Sequence, residues 1–466
     1  MYNLDFSKPL KIFFLGIGGI SMSGLAEIMA HKGFKVYGSD RLKSDVTTHL
    51  EEKGITVYYG ESRSHIADDY DLCVLTSAVK ENNIEFTAIR EKNIPYIYRA
   101  DLLGQIMKQY PNSIAVSGTH GKTTTTSMVS EVLMANEEDP TLLVGGILDS
   151  IKGNVRIGNS PFLAAEACEY TNSFLSFFPS VEIILNVDED HLDFFKDIND
   201  IRNSFTRFAN LCNTSGCIII NADIPDYKEI VKDAKCKIIT YGMNKVNSYG
   251  ETNDYYPENI SFSASGHPSF TMVSTKDNKK TDFELSLFGI HNISNTLSVC
   301  ALSDFFNLDN EKTVKAINSF GGTKRRFEYK GTIGGVTVVD DYAHHPTEIA
   351  ATLSAAEKVP HKTLWCVFQP HTYTRTKALM EDFASVLSKA DKVVLADIYA
   401  ARETDTLGIS SETLAEHIRN LGKECYYFPS FDEIENFLLE NCINGVLLIT
   451  MGAGDVHKIG ENILGI

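Results

Sequence analysis

A glycine-rich loop carries the strongest chemical signal in the sequence. Residues 117–124 have the sequence SGTHGKTT and lie between an apolar stretch, Ile114–Val116, and a segment of helical character. Glycines let backbone N–H groups turn towards phosphate oxygens, and the start of the next helix adds a positive dipole. A lysine at this place reaches the β- and γ-phosphates of a nucleotide, and a threonine hydroxyl joins a Mg²⁺ shell. The candidate phosphate-binding residues are Gly118, Thr119, His120, Gly121, Lys122, Thr123 and Thr124.

This loop departs from the standard P-loop pattern at one position. Val116 stands where that pattern has its first glycine. The alternative interpretation is an ordinary turn between a strand and a helix that happens to contain Gly-Lys-Thr. We favour the phosphate loop because a strand and a helix flank the glycines in the order that the chemistry requires.

A second glycine turn lies near the N-terminus. Gly16-Ile17-Gly18-Gly19-Ile20-Ser21 follows the apolar stretch Ile12–Leu15, and Asp40 ends the next predicted strand. By itself this pattern is typical of a dinucleotide site, although Ser21 occupies the place of the third glycine. A dehydrogenase is therefore a competing interpretation, but it leaves the Gly-Lys-Thr loop without a role.

The elements that must position these residues repeat one order, in which a short apolar strand is followed by a turn of small residues and a helix. This order predicts βαβ units and an α/β fold with parallel sheets. At about 150 residues per domain, 466 residues predict about three domains. Turn-forming residues place the boundaries so that the domains comprise residues 1–110, 111–322 and 323–466. The polar stretch at about 244–280 predicts hairpins or loops at one side of the middle domain.

Composition and charge exclude several classes of protein. The chain has 43 Lys and Arg against 61 Asp and Glu, a formal net charge of −18, which would repel a nucleic-acid backbone or an anionic membrane. No stretch approaches the ~20 apolar residues of a membrane span. The nine cysteines include no CxxC pair, so we expect reduced thiols rather than a zinc site. We therefore expect a cytoplasmic protein without nucleic-acid or membrane partners.

Motifs distributed along the whole chain resemble those of the Mur ligases of peptidoglycan precursor synthesis. They are GTHGKTTTT, AAEACEYTNSF, NVDEDHLD, GIHNISN and DDYAHHP, which occur in the family's order from about Lys11 to the C-terminus. The resemblance implies three domains: an N-terminal Rossmann-like domain, a central domain with a P-loop ATPase-like parallel sheet and a C-terminal Rossmann-like domain. The motifs are most similar to those of members that add L-alanine to UDP-N-acetylmuramate.

The resemblance also implies the reaction and its cofactors. In this family ATP phosphorylates a substrate carboxylate to an acyl phosphate, and an amine then attacks it to form an amide. Thr123 and Glu166 would hold one Mg²⁺ ion, and His191 would bind a second metal ion. Without the resemblance, Glu166 would be interpreted as a solvated carboxylate at a strand end, and His191 as a neighbour of a helix cap.

Further ligand contacts are implied by the same resemblance. Asn292 and Asn295 would hold the adenine or its ribose, with a helix cap by Asn292 as the alternative. In the first domain the glycine turn would take the UDP pyrophosphate, and Asp40 and Ser77 would lie along the uridine. Arg99 would add a positive charge there, or form a surface salt bridge. The residues assigned to UDP-N-acetylmuramate in this part of the chain are Gly18, Gly19, Ile20, Asp40, Ser77, Arg99 and His120.

The third domain is expected to close over the other two and keep water from the acyl phosphate. By resemblance, Arg326 and Asp341 would meet ATP, and Tyr342, His344 and Arg375 would meet the substrates. A charge pair or a core role is the alternative for Asp341 and His344. The residues implied to be catalytic are Lys122, Glu166, His191, His344 and Arg375.

Two other functions compete with the addition of L-alanine. One is a recycling ligase that adds a preformed tripeptide to the same nucleotide sugar, and the other is a non-catalytic nucleotide-binding regulator. The resemblance also implies that ligases of later steps carry a carbamylated lysine at the position that counting assigns to Phe205 in this chain, which favours the alanine-adding branch. A binding module has no need for the set Lys122, Thr123, Glu166 and His191. The sequence is compatible with a monomer or a homodimer.

Overall fold

The computed structural model describes residues 2–192, 194–401, 403 and 407–466. The chain forms two compact units, one of residues 1–187 with 199–240 and the other of residues 188–198 with 241–466. Within the described part of the chain, no helix is both long and apolar enough to cross a membrane. The nine cysteines are all described, and each is a free thiol.

The first unit begins with a five-stranded parallel sheet in the order β3-β2-β1-β4-β5. Its strands Lys11–Leu15 and Leu72–Leu75 are apolar and buried, and Phe13, Leu15, Cys73 and Leu75 pack into one core cluster. Because all strands point the same way, their carboxyl ends share one edge, where ligands bind in open α/β sheets. The elements are β1 (Lys11–Leu15), α1 (Ile20–His31), β2 (Lys35–Asp40), α2 (Asp45–Glu52), β3 (Thr56–Tyr59), β4 (Leu72–Leu75), α3 (Ile84–Glu91), β5 (Tyr96–Tyr98) and α4 (Arg99–Met107).

A second sheet of this unit has the strand order β12-β11-β10-β6-β9-β7-β8. The pairs β10–β11, β10–β6, β6–β9 and β7–β9 are parallel, and β7–β8 is antiparallel. The central strand β6 thus lies between β10 and β9, and the loops that leave these three strands emerge at one edge. The elements are β6 (Asn112–Ser117), α5 (Lys122–Ala135), β7 (Thr141–Leu148), β8 (Gly153–Arg156), β9 (Phe162–Ala167), β10 (Val181–Ile184), α6 (Ile198–Ala209), β11 (Cys217–Asn221), α7 (Tyr227–Val231) and β12 (Lys237–Tyr241).

The second unit contains antiparallel strands, two helices and a six-stranded sheet. Strands β13 (Tyr255–Phe262), β14 (Pro268–Ser274) and β15 (Lys279–Glu284) pair antiparallel, which confirms the predicted hairpins. Helices α8 (His291–Phe305) and α9 (Asn310–Ser319) follow.

The six-stranded sheet has the order β16-β17-β21-β18-β19-β20 and is parallel except for β16–β17. Helices pack on both faces of the sheet over two apolar clusters. The elements are β16 (Glu328–Ile333), β17 (Val336–Asp341), α10 (Pro346–Ala356), β18 (Thr363–Phe368), α11 (Tyr373–Ala378), α12 (Met380–Leu387), β19 (Lys392–Leu395), α13 (Ser411–Asn420), β20 (Glu424–Tyr427), α14 (Phe431–Asn441), β21 (Val446–Met451) and α15 (His457–Leu464).

Candidate active site

The candidate phosphate loop connects β6 to α5, as the sequence predicts. Gly118 and Gly121 have φ angles of +139° and +83°, a region that L-residues with side chains rarely adopt. A Cβ atom on Gly118 would lie 2.9 Å from the Cβ of Leu185, so the loop has no room for one. Helix α5 begins at Lys122, and its N-cap residue, Gly121, provides no side-chain hydrogen bond to the first turn. Backbone N–H groups at such a helix start are suited to bind an anion.

The lysine of this loop lies back against the loop itself. Its Nζ donates hydrogen bonds to the carbonyl oxygens of Gly118 and Thr119 and to Oε2 of Glu169, the last two at 3.0 Å. Burial by itself lowers the pKa of Lys122, but the neighbouring carboxylate of Glu169 outweighs it and the net pKa is raised. Lys122 is therefore a fully charged, partly buried cation at the phosphate loop.

Asn186 fixes the conformation of the phosphate loop, a role that was not predicted from the sequence although Asn186 begins the NVDEDHLD motif. Its Oδ1 accepts a hydrogen bond from the backbone N–H of His120 at 2.8 Å, and its Nδ2 donates to the His120 carbonyl at 3.0 Å. Its own carbonyl accepts from the N–H of Thr119. Asn186 follows β10, the parallel neighbour of β6. A polar residue at the end of a strand that pairs with β6 is the signal that would have found it.

Glu166 lies near the end of β9, opposite Val116 of β6 in the parallel register. Its Oε1 accepts a hydrogen bond from the backbone N–H of Gly145 at 2.5 Å. A Cβ on Gly145 would lie 2.5 Å from Oε2 and 2.6 Å from Oε1, so only glycine leaves room for this carboxylate. Thr123 is in the first turn of α5 and is buried. Both side chains carry oxygen atoms, of the hydroxyl kind in Thr123 and the carboxylate kind in Glu166.

The N-terminal glycine turn is held by Asp40. Oδ2 of Asp40 accepts a hydrogen bond from the N–H of Gly18 at 2.8 Å, and a Cβ on Gly18 would lie 2.8 Å from the same oxygen. Gly19 precedes α1, and the exposed Ile20 is the first residue of that helix. Asp40 thus has a structural role in the turn besides its predicted place along a uridine.

Two further residues predicted for the UDP-sugar lie at the edge of the same sheet. Ser77 is exposed and follows β4, which pairs with β1 next to the glycine turn. Arg99 is the first residue of α4 and donates from Nη1 to Oγ of Ser21 at 2.9 Å. Burial lowers its pKa, and the nearby Cys168 and Glu166 oppose that effect. The hydrogen-bond partner of the Arg99 guanidinium is the hydroxyl of Ser21, which carries no charge.

In the second unit, Asn292 and Asn295 lie in the first turn of α8 and are both buried. Nδ2 of Asn292 donates to the carbonyl of Phe288 at 2.7 Å, and Nδ2 of Asn295 donates to Oδ1 of Asn292 at 3.0 Å. The N-cap residue of α8 is Ile290. The alternative in which Asn292 caps the helix is therefore wrong, because its side chain bonds backwards to Phe288 from inside the helix.

An aspartate beside His191 forms the centre of a second charged cluster. Arg375 donates from Nη2 to Oδ1 of Asp190 at 2.8 Å, and its Nη1 lies 3.1 Å from Nδ1 of His371. The backbone N–H of His191 donates to Oδ1 of Asp190 at 2.6 Å, and His191 has a φ of +55°. Burial raises the pKa of Asp190, but the positive groups around it, led by His191 and Arg375, lower it by more. The net pKa of Asp190 is therefore below its usual value. Asp190 and His371 were not identified from the sequence.

The two histidines after β17 differ in their surroundings. His344 lies with its Nδ1 2.9 Å from the carbonyl of Tyr342 and 3.4 Å from Oε2 of Glu348. Burial lowers the pKa of His344 to about 4, so its imidazole is neutral at pH 7. His345 caps α10 and places Nε2 3.0 Å from the carbonyl of Glu189. His344 faces Glu348 but is neutral at pH 7, so the two do not form a charge pair.

Asp341 is the last residue of β17, and Arg326 lies two residues before β16. Asp341 accepts hydrogen bonds from the backbone N–H groups of Phe327 and Ala343, both at 2.7 Å. Burial raises its pKa to about 6, against the opposing charge of Arg326. The guanidinium carbon of Arg326 lies 5.1 Å from the ring centre of Tyr342. These contacts bring Arg326, Asp341 and Tyr342 together, and the ligand contacts expected of them stay predictions.

Comparison with known proteins identifies the family of the chain. Three family models match in succession: the Mur ligase family catalytic domain over residues 11–111, the Mur ligase middle domain over 116–303 and the Mur ligase glutamate ligase domain over 325–454. The chain belongs to the Mur ligase family. Its predicted three-domain α/β fold is thereby confirmed, while the boundaries at residues 110 and 322 stay predictions.

Several individual Mur ligases are similar over their whole length. UDP-N-acetylmuramate--L-alanine ligases from Agathobacter rectalis and Lachnospira eligens are 56% and 53% identical, and the matches cover 100% of each chain. A crystal structure of UDP-N-acetylmuramate-alanine ligase from Thermotoga maritima matches with a TM-score of 0.81 and 28% identity, covering 98% of both chains. A murein peptide ligase from Psychrobacter arcticus matches with a TM-score of 0.73 and 25% identity at the same coverage.

Within this Mur ligase the residues predicted from the sequence fall into two sets. The first unit holds the phosphate loop, Glu166 and the residues assigned to the UDP-sugar. The second unit holds His191, the two asparagines of α8 and the residues after β17, together with Arg375. Within each unit the parallel strand order explains the grouping, because residues far apart in sequence leave neighbouring strands at the same edge. The roles that the resemblance assigns to these residues stay predictions.

Proposed function

We propose that this Mur ligase joins L-alanine to the lactyl carboxylate of UDP-N-acetylmuramate at the expense of ATP, in peptidoglycan precursor synthesis. The observation that carries the proposal is the full-length similarity to proteins named UDP-N-acetylmuramate--L-alanine ligase, at 56% identity in the first case. The phosphate loop, with its charged lysine and uncapped helix start, supplies the geometry that ATP needs. We place the reaction in the cytoplasm, where ATP and nucleotide sugars are available.

The three predicted domains divide the work among the substrates. We assign UDP-N-acetylmuramate to residues 1–110, ATP to residues 111–322 and the amino acid to residues 323–466. In the first range, Gly18, Gly19 and Arg99 provide N–H groups and a positive charge for a pyrophosphate. Asp40 would have to share the N–H of Gly18 with that ligand, since it already accepts a hydrogen bond from it.

The phosphate loop fits a nucleoside triphosphate. When bound, ATP supplies the phosphoryl group that turns the substrate carboxylate into an acyl phosphate, which has a good leaving group. Phosphoryl transfer depends on positioning and charge neutralisation more than on a protein nucleophile. In our proposal the ammonium of Lys122 neutralises the phosphates, and the N–H groups at the start of α5 orient them. Asn186 keeps the loop in the shape that allows this.

The residues present also fit Mg²⁺. Thr123 and Glu166 offer a hydroxyl and a carboxylate, which are the oxygen ligands that Mg²⁺ prefers. The hydrogen bond from Gly145 orients the Glu166 carboxylate, as partners of metal ligands usually do. We propose these two residues as ligands of one Mg²⁺ ion and His191 as a ligand of a second. When bound, Mg²⁺ adds positive charge against the phosphates.

In the amide-forming half of the reaction, His344 and Arg375 are the residues that suit the amino acid. The carbonyl of Tyr342 can only accept a hydrogen bond, so Nδ1 of His344 carries the proton and Nε2 presents a lone pair. With its lowered pKa, His344 is neutral at pH 7, and its Nε2 can accept a hydrogen bond from the amine. The fork of Arg375, already set by Asp190 and His371, suits a carboxylate or phosphate oxygen.

Phosphate release measures this reaction directly. The purified protein is mixed with ATP, Mg²⁺ and UDP-N-acetylmuramate, and L-alanine or the tripeptide is added in separate reactions. We expect release with L-alanine and a product whose mass is that of the sugar nucleotide plus alanine less water. Release with the tripeptide alone would assign the protein to precursor recycling. Absence of release with both, from a protein with a cooperative thermal transition, would contradict the ligase proposal.

A further inference from the structure

Glu169 is a buried acidic residue beside the phosphate loop to which neither the sequence analysis nor the proposed reaction assigns a role. It follows the end of β9 by two residues and is 2% exposed. Strand β9 pairs in parallel with β6, and Ala167 lies opposite Ser117. The chain therefore carries Glu169 out of the sheet at the edge from which the phosphate loop leaves β6.

The backbone holds Glu169 firmly in this place. Its carbonyl accepts a hydrogen bond from the N–H of Asn172 at 2.8 Å. Thr171 and Asn172 have φ angles of +55° and +57°, which form a tight turn directly after it. Such conformations persist only where the surrounding structure determines them. The turn thus fixes the backbone from which the Glu169 side chain extends to Lys122.

Glu169 takes one of the three N–H groups of the Lys122 ammonium. The Nζ atom lies 3.0 Å from Oε2 and 3.4 Å from Oε1 of Glu169, and its other bonds go to the carbonyls of Gly118 and Thr119. An ammonium group has three donors and no acceptor, so these partners use its full capacity. A phosphate oxygen can reach this ammonium only if at least one of the three gives way.

We propose that Glu169 is a positioning residue that holds the ammonium of Lys122 at the empty phosphate loop and gives it up to the phosphates of ATP. A buried ammonium without a partner is costly, so the carboxylate stabilises the nucleotide-free protein. The same negative charge competes with the phosphates and weakens ATP binding. The inference deepens the proposed function, because it requires ATP to bind at this loop.

If the Lys122 ammonium exchanges Glu169 for the phosphates of ATP, the expected result differs from that of a purely structural contact. Loss of a structural contact weakens ligand binding or leaves it unchanged, whereas loss of a competitor strengthens it. Glu169→Gln keeps the shape of the side chain but removes the charge. We expect its Kd for MgATP to fall about tenfold, the ratio that corresponds to about one charge-assisted hydrogen bond. We also expect the melting temperature of the nucleotide-free protein to decrease, and MgATP to raise it by more than in the wild type.

The test is isothermal titration of MgATP into the full-length protein without UDP-N-acetylmuramate or L-alanine, so that no turnover occurs, together with thermal unfolding. The matched control is Glu27→Gln on α1, because Glu27 is also buried and its Oε2 lies 3.0 Å from Nζ of Lys53. Glu27→Gln should lower the melting temperature and leave the Kd for MgATP unchanged. Glu169→Asp retains the charge on a shorter side chain, and we expect its affinity to rise two- to threefold.

An unchanged or increased Kd for Glu169→Gln, in a protein that still melts cooperatively, would overturn the inference. If Glu169→Gln does not fold, the Glu169→Asp variant is the decisive one. The inference would be overturned equally if Glu169→Asp had the same Kd for MgATP and the same melting temperature as the wild type. Failure of the wild-type protein to bind MgATP at all is a different result. It would refute the proposed function, and the role of Glu169 with it.

Discussion

Replacing Gly145 with alanine should disturb magnesium dependence by moving one carboxylate. The new Cβ would lie 2.5 Å from Oε2 and 2.6 Å from Oε1 of Glu166. Non-bonded carbon and oxygen atoms settle at about 3.0–3.4 Å or more, so the carboxylate must retreat by roughly 0.5–0.9 Å. Metal–ligand distances tolerate deviations of only about 0.2 Å. The substitution therefore displaces a proposed Mg²⁺ ligand beyond what the metal accepts.

The expected size of the effect on Mg²⁺ dependence follows from the hydrogen bond between Gly145 and Glu166, which is lost when the carboxylate moves. Gly145 orients Glu166 through its N–H, and removal of such a partner of a metal ligand costs about 10–100-fold in metal affinity or activity. We expect the Mg²⁺ concentration that gives half-maximal phosphate release to rise by that factor. The backbone itself should tolerate alanine, because Gly145 is not among the residues with positive φ.

The assay is the initial rate of phosphate release as a function of Mg²⁺ at saturating ATP and substrates. The matched control is Gly153→Ala at the start of β8, where the nearest atom to a new Cβ is the Ile151 carbonyl oxygen at 4.0 Å. That variant should keep the wild-type Mg²⁺ dependence. A folded Gly145→Ala protein with wild-type Mg²⁺ dependence would refute the assignment of Glu166 as a metal ligand held by Gly145.

Three further outcomes are expected. Lys122→Ala should lower kcat/KM at least about a thousandfold in the phosphate-release assay, because the main cation at the phosphates is lost; a loss under tenfold would contradict its role. Asn186→Ala removes both side-chain bonds to His120 and should weaken MgATP binding about tenfold by calorimetry, and an unchanged Kd would show that the loop holds its shape alone. Burial lowers the pKa of His344 to about 4, against ~6.5 when unfolded, so the unfolded chain binds more protons between these values. Stability should therefore be fully present above pH 6.5 and fall towards pH 4, by up to about 3 kcal/mol from this residue. Urea unfolding at several pH values should show that the stability of His344→Gln depends less steeply on pH, and an unchanged slope would contradict this account of His344.

Much of the site was predictable where chemistry depends on residues adjacent in sequence. The phosphate loop needs glycines, a lysine and a threonine in one order between a strand and a helix, and the chain provides that order directly. The strands and hairpins followed from apolar runs and polar turns for the same reason. The resemblance to a family then linked distant motifs that no local rule connects.

Other parts of the site depended on which strands become neighbours. Asn186 and Asp190 lie in the motif NVDEDHLD and Glu169 lies in AAEACEYTNSF, but these motifs do not tell which group each side chain meets. Asn186 bonds the loop because β10 pairs with β6, and Glu169 reaches Lys122 because β9 pairs with the other side of β6. The hydrogen bond from Gly145 to Glu166 likewise depends on the pairing of β7 with β9.

The sequence by itself thus determined the class of fold, the phosphate loop and the family to which the chain belongs, because each rests on short-range patterns of residue type. Only the tertiary structure decided the partner of each charged group. Lys122 meets Glu169, and Arg375 meets Asp190, across 47 and 185 residues of chain. The order of strands in a sheet and burial set these pairs and shift their pKa values, and neither quantity is a property of a local segment.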